Sequence, residues 1–80
     1  MALKLVFLGR LEDAAGAPEL EVPTRPLVAE VLAGLDPELA AALQGTRVKL
    51  AINGALVQDR DALVLSDGDE LAFLPPVSGG

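Results

Sequence analysis

Two strand patterns, one at each end of this 80-residue chain, limit the folds open to it. Residues 2–8 and residues 70–74 both alternate with period two, which predicts a strand in each segment. The residues that would share one face of these strands are Leu3, Leu5, Phe7, Leu71 and Phe73. A chain of this length forms a single domain. The last strand can therefore lie parallel to the first, at the centre of one sheet.

Helical segments are predicted between these strands. Residues 10–15 would form a short helical turn closed by a glycine. The main helix would have Thr24 as its N-cap and Pro26 in its first turn, where the missing N–H costs nothing. Its single apolar stripe consists of Leu27, Val28, Val31, Leu32 and Leu35. A second, shorter helical piece would have Asp36 as its N-cap and end at Gly45.

Three further strands complete the pattern, at residues 19–22, 48–52 and 55–57. The Asn53-Gly54 pair between the last two predicts a tight hairpin turn. The order strand, strand, helix, strand, short strand, strand predicts an α+β fold. We expect a β-grasp, or ubiquitin-like, mixed sheet with one main helix and a short second helix packed on one face. Residues 1–75 would form this domain and residues 76–80 a flexible tail.

The composition excludes several kinds of chemistry. The chain has no Cys and no His, so it can offer no thiolate nucleophile, no disulfide and no imidazole base or metal ligand. Its net charge of −6 opposes binding to nucleic acid. No apolar stretch reaches the roughly 20 residues of a membrane span. We therefore expect a cytoplasmic protein with neither a nucleic-acid nor a membrane partner, and no bound metal.

Carboxylates are the only remaining candidates for acid–base side chains. They cluster at Glu12-Asp13, Asp59-Asp61 and Asp67-Gly68-Asp69-Glu70, and each cluster is typical of a solvated face or a turn. The last cluster lacks the ligand spacing of a calcium loop. Ser66 and Ser78 have no His partner, which excludes a serine triad. No side chain of the sequence indicates catalysis.

The main-chain terminus is the remaining reactive group. Gly79-Gly80 ends the sequence in a carboxylate that no neighbouring side chain shields. A carboxylate is a poor electrophile until it is activated, for example as an acyl-adenylate. The alternative is a frayed, inert end. Because Pro75-Pro76 would stiffen the chain before it, we favour a functional tail.

An apolar surplus is predicted on the sheet face opposite the helices. One helical layer covers one face of a sheet, and the other face should be polar. The apolar residues predicted on this uncovered face are Val6, Leu8, Ala51, Ala72 and Leu74. These are either scattered surface residues or a protein-docking patch near the last strand.

The final segment, Asp67-Gly68-Asp69-Glu70-Leu71-Ala72-Phe73-Leu74-Pro75-Pro76-Val77-Ser78-Gly79-Gly80, resembles the small, sulfur-carrying subunit of molybdopterin synthase (the MoaD family). The opening residues 6–11 and the central residues 48–53 are similar too. Many members carry a second aromatic residue at the position of Leu74. The resemblance implies that Gly79 and Gly80 form the sulfur-carrying terminus. The docking residues that it implies are Leu8, Phe73, Leu74, Pro75, Pro76 and Val77.

The resemblance also implies a reaction cycle. An E1-like adenylating enzyme (MoeB type) would join AMP from ATP to the Gly80 carboxylate. A sulfur donor such as a cysteine desulfurase would then displace AMP and leave a thiocarboxylate. The large synthase subunit (MoaE type) would use this sulfur on cyclic pyranopterin monophosphate, in a heterotetramer. The chain would be a non-catalytic, sulfur-donating subunit without a tightly bound cofactor, and ATP would be used by its partner.

Three alternatives remain open. A thiamine-pathway sulfur carrier (ThiS-like) would share the fold, the Gly-Gly end and the activation chemistry. A ubiquitin-like modifier would instead attach Gly80 to lysines of other proteins; its own acceptors for chain building would be Lys4 and Lys49. A plain interaction module would have an inert tail.

Overall fold

A computed structural model describes residues 2–45 and 47–75, which fold as one mixed sheet with helices on one side. The strands are β1 (Ala2–Phe7), β2 (Glu19–Pro23), β3 (Lys49–Ile52), β4 (Ala55–Val57) and β5 (Glu70–Leu74). The helices are α1 (Arg10–Ala15), α2 (Val28–Ala33) and α3 (Pro37–Leu43), with a short 3₁₀ helix at Arg60–Ala62. The predicted tail, residues 76–80, lies outside the described residues.

The sheet has the strand order β2-β1-β5-β3-β4. β1 and β5 are parallel, with Leu5 beside Leu71 and Phe7 beside Phe73, and the other three pairings are antiparallel. The predicted parallel pairing of the first and last strands is confirmed. β5 is consequently a central strand, hydrogen-bonded on both sides, and its C-terminal end is where the predicted tail begins.

The short helices begin and end largely where the sequence predicts. Gly16 ends α1 in a left-handed conformation with φ of 77°, as expected for a glycine that follows a helix. Asp36 is confirmed as the N-cap of α3, because its carboxylate accepts hydrogen bonds from the backbone N–H groups of Glu38 and Leu39. Pro37 occupies the first turn of that helix.

The predicted start of the main helix is wrong. α2 has Leu27 as its N-cap and begins at Val28, so Thr24 is not a cap. The carbonyl of Pro26 accepts a hydrogen bond from the N–H of Leu65 at 2.8 Å, which ties this segment to a distant loop. A residue before proline is also biased towards extended backbone, and Arg25 holds that position. The result is a six-residue helix, no longer than α1.

The core lies between the sheet and the helices. The two phenylalanine rings stack at its centre, with centroids 5.8 Å apart. Leu3, Leu5 and Leu71 are completely buried around them. The helices contribute the buried residues Leu11, Val28, Val31, Leu32, Leu39 and Leu43. The predicted inward face of each terminal strand is confirmed.

A tight turn joins β3 to β4 at the predicted Asn53-Gly54 pair. Both residues have positive φ, 48° and 88°, which is the requirement of a type I′ turn. The Asn53 side chain also donates a hydrogen bond to the Asp69 carboxylate at 3.0 Å and accepts one from the N–H of Glu70. The hairpin is thereby fastened to the start of β5.

Candidate docking surface

The sheet face without helices carries a continuous apolar row. Val6, Ala72 and Ala51 are direct neighbours across β1, β5 and β3, and Leu56 on β4 extends the row to the edge of the sheet. We call the uncovered side of the sheet the open face. The three central residues are partly buried, whereas Leu56 is 69% exposed. The predicted apolar surplus therefore lies on one surface.

Apolar residues continue to the end of β5, where one exposed lysine lies among them. Leu8 follows β1 and is 42% exposed, and its N–H donates to the carbonyl of Phe73 at 3.0 Å, continuing the parallel pairing. Leu74 lies opposite Lys49 and is partly exposed. Pro75, also partly exposed, follows directly. Three of the predicted docking residues thus lie where the chain leaves the sheet.

The opposite end of the open face is polar. Lys4 lies beside Glu70 on β5, and its Nζ is 3.3 Å from Oε2 of Glu19 on β2. The Asn53–Asp69 hydrogen bond lies at this end too. Because both partners of the Lys4–Glu19 ion pair are about half exposed, the pair contributes little stability. The pair places charged side chains on the β2 side of the apolar row, where Glu19 is the register partner of Val6.

The structure corrects one member of the predicted docking set. Phe73 has no exposed surface and stacks on Phe7, so its side chain belongs to the core and cannot contact a partner. Period-two alternation already placed it on the inward face. Its role is to hold β5 in place, while its neighbour Leu74 faces outward. The predicted roles of Pro76, Val77, Gly79 and Gly80 concern residues outside the described part and stay predictions.

Two of the acidic clusters contain a carboxylate that stabilises a turn or a helix start. The Asp69 carboxylate accepts hydrogen bonds from the backbone N–H of Ser66 and from the Asn53 side chain, and these hold the pKa of Asp69 below its ordinary value. Asp59 accepts a hydrogen bond from the N–H of Asp61 and caps the 3₁₀ helix. Within residues 2–45 and 47–75, no group of three acidic side chains is arranged to hold a metal ion.

The residues that the sequence analysis missed are Leu56 and Gly9. Leu56 belongs to a strand of three residues, too short for a periodic pattern to assign its face. Gly9 directly follows β1 in the sequence, and the structure places it against Pro75. None of the helices in the described residues has the length and apolar character to cross a membrane.

Five strands in this order, with helices on one face and an apolar open face, define a ubiquitin-like β-grasp protein. The comparisons with known proteins agree. Residues 5–80 match the ThiS family. A molybdopterin synthase sulfur carrier subunit from Escherichia coli strain K12 is 33% identical, with 98% of this chain and 99% of the relative covered. The chain belongs to the ThiS family.

Solved structures share the fold. Small archaeal modifier protein 1 from Methanosarcina acetivorans superposes with a TM-score of 0.75 at 27% identity, covering 99% of this chain and 96% of that one. A chain in the complex of subunits 1 and 2 of molybdopterin-converting factor from Helicobacter pylori 26695 gives a TM-score of 0.69 over the whole of both chains. At 24% identity this second likeness establishes the fold alone.

Proposed function

We propose that this protein is the sulfur carrier subunit of a molybdopterin synthase. The observation that carries the proposal is the full-length similarity to a protein of that name, together with an apolar open face that ends where β5 leads into the Gly-Gly sequence. The absence of Cys and His from the sequence agrees with a carrier whose reactive group is its main-chain carboxylate.

The proposed loading proceeds in two stages. An oxygen of the Gly80 carboxylate attacks the α-phosphorus of ATP in an E1-like enzyme and expels pyrophosphate, which leaves an acyl-adenylate. A persulfide then attacks the acyl carbon, and AMP leaves with the C–O bond electrons. A thiol finally cleaves the S–S bond of the acyl disulfide, is itself oxidised to a disulfide with the donor, and releases the Gly80 thiocarboxylate.

The loaded tail then enters the active site of the large subunit. The thiocarboxylate sulfur attacks a carbon of cyclic pyranopterin monophosphate, and an oxygen substituent leaves that carbon with the C–O bond electrons. Water then attacks the acyl carbon of Gly80, the C–S bond breaks with its electrons on the transferred sulfur, and the carboxylate is restored. The acid–base side chains for this transfer belong to the partner. This chain supplies the tail and a docking surface: the apolar end of the open face, with Leu8, Leu74 and Pro75, removes apolar area from water when the large subunit covers it.

Intact-mass spectrometry tests this proposal. The full chain is incubated with ATP, an E1-like adenylating enzyme and a persulfide donor. The expected product is heavier than the starting protein by the difference between one sulfur and one oxygen atom. A variant that lacks Gly80 is the control: it should fold normally and stay unmodified. Recovery of unmodified wild-type protein alone would contradict the proposal.

A second candidate function is protein modification, because a similar structure is named a small archaeal modifier protein. Its product would be an isopeptide bond between Gly80 and a lysine amine, resistant to denaturant and to thiols. The same incubation, supplemented with cell extract, separates the two functions. Transfer of sulfur to the pterin precursor supports the synthase role over the modifier and over a thiamine-pathway carrier.

A further inference from the structure

Gly9 forms the junction between β1 and α1, directly beside the end of β5. Its backbone has φ of 56° and ψ of −136°, a combination that residues with a Cβ avoid. On one side of it, the N–H of Leu8 donates to the carbonyl of Phe73. On the other, the carbonyl of Gly9 accepts from the N–H of Glu12 in the first turn of α1. The junction is therefore fixed to both elements.

The ring of Pro75 occupies the space that a side chain at Gly9 would need. A Cβ built on Gly9 would lie 2.9 Å from Cγ of Pro75 and 3.6 Å from its Cδ. Two carbon atoms at rest are roughly 3.5–4.0 Å apart, so the first distance is a clash. Gly16, Gly54 and Gly68 also have positive φ, but no atom lies within 4 Å of the Cβ position of any of them.

We propose that Gly9 is a positioning residue for the C-terminal tail: its bare Cα seats the Pro75 ring and so sets the direction in which the chain leaves β5 towards Gly80. The proline ring fixes its own φ near −65°, and contact with Gly9 fixes where the ring lies. This inference rests on the proposed function, in which Gly80 must reach a partner's active site.

The geometry of an extended tail explains why the direction matters. Five residues beyond Pro75 span about 16 Å when extended, at about 3.3 Å per residue. A change of direction at Pro75 is amplified along that length. A misplacement of a reacting group by about 1 Å can cost about 100-fold in rate. A tail that already points towards the partner also has less freedom to lose on binding.

The test measures adenylation of Gly80 by the E1-like enzyme, followed as ATP–pyrophosphate exchange against carrier concentration. Gly9→Ala and Pro75→Ala should each lower kcat/KM by about 10- to 100-fold, with kcat lower because the carboxylate is misplaced and KM higher because the tail is less preorganised. Gly16→Ala is the matched control, because it also places a side chain on a positive φ but meets open space. It should leave kcat/KM unchanged. Thermal melting of each variant separates tail effects from loss of fold.

The double variant Gly9→Ala/Pro75→Ala tests whether Gly9 acts through its contact with the Pro75 ring. If the glycine acts through the proline ring, the losses of kcat/KM will not add, and the double variant will resemble Pro75→Ala. Additive losses would overturn the inference, as would a folded Pro75→Ala variant with wild-type kinetics. A wild-type chain that is not adenylated at all would instead contradict the proposed function.

A measurement that needs no enzyme distinguishes failure of the positioning role from failure of the proposed function. NMR relaxation of the Val77 amide measures the order of the chain two residues beyond Pro75. We expect a lower order parameter in Pro75→Ala and in Gly9→Ala than in wild type, and no change in Gly16→Ala. Equal order parameters in all four proteins would overturn the positioning role whatever the outcome of the adenylation assay.

Discussion

Both faces of the sheet carry an apolar row across the central strands, yet the two rows are built from residues of different size. On the covered face, Phe7 and Phe73 pair with Leu50 as neighbours across three strands, all essentially without exposed surface. On the open face, the corresponding row is flattened by Ala72 and Ala51. Large residues interlock with the helices, whereas small ones leave a flat surface on which another protein can lie. Apolar alternation alone therefore does not distinguish a core from a docking surface.

Substitutions at two adjacent residues of β5, one on each face of the sheet, should differ most in their effect on stability. Phe73→Ala removes a ring from the covered face and should cost about 3–5 kcal/mol of unfolding free energy. Leu74→Ala removes a side chain from the open face of the same strand and should cost less than about 1 kcal/mol. Urea unfolding at low temperature measures both. Equal losses would show that the open face is packed like a core.

Binding to the large subunit tests whether the open face is a docking surface. Leu74→Glu places a charge where the partner would remove water, and should weaken the complex by about 2 kcal/mol, roughly 30-fold, with little loss of stability. Val64→Glu is the control, since Val64 is 67% exposed in the loop before β5. Calorimetric titration of both variants measures the effect. A Leu74→Glu complex as tight as that of wild type would dismiss the docking surface.

The polar end of the open face depends on the Asn53 side chain. Asn53→Gly keeps the turn and loses the hydrogen bonds to Asp69 and Glu70, with an expected cost of about 1 kcal/mol. Asn53→Ala loses the same bonds but keeps a Cβ at positive φ, so it should cost about 1 kcal/mol more than Asn53→Gly, which removes that Cβ. Denaturant unfolding of the pair separates the two contributions. An identical loss in both variants would show that the backbone is unstrained there.

The smallest expected effect is a pH dependence from Asp69. Its pKa is lowered in the folded state by the N–H of Ser66 and by Asn53, so it stabilises the fold fully above the ordinary pKa of about 3.9. This contribution is lost as the pH falls through the lower folded value. The stability difference between wild type and Asp69→Ala should therefore shrink on acidification. A difference between wild type and Asp69→Ala that stays constant on acidification would contradict this role of Asp69.

The sequence predicts the elements whose cause is local. Alternation predicts β1 and β5, the Asn53-Gly54 pair predicts a turn, and Asp36 predicts the start of α3. Each of these features depends on residues that are neighbours in the sequence. The predicted start of α2 is wrong because the carbonyl of Pro26 is hydrogen-bonded to the N–H of Leu65, almost forty positions away in the chain. The contact between Gly9 and Pro75 could not be predicted from the sequence either, because it forms only when the first and last strands pair. Tertiary partners account for both omissions.

The central position of β5 also bears on how the protein is made. The N-terminal hairpin of β1 and β2 and the later hairpin of β3 and β4 meet only through β5, which is translated last of the five. A chain interrupted before Glu70 has two sheet fragments and nothing to join them. Such fragments expose apolar surface and are open to cellular proteases. Completion of the sheet and placement of the start of the tail therefore depend on the same strand.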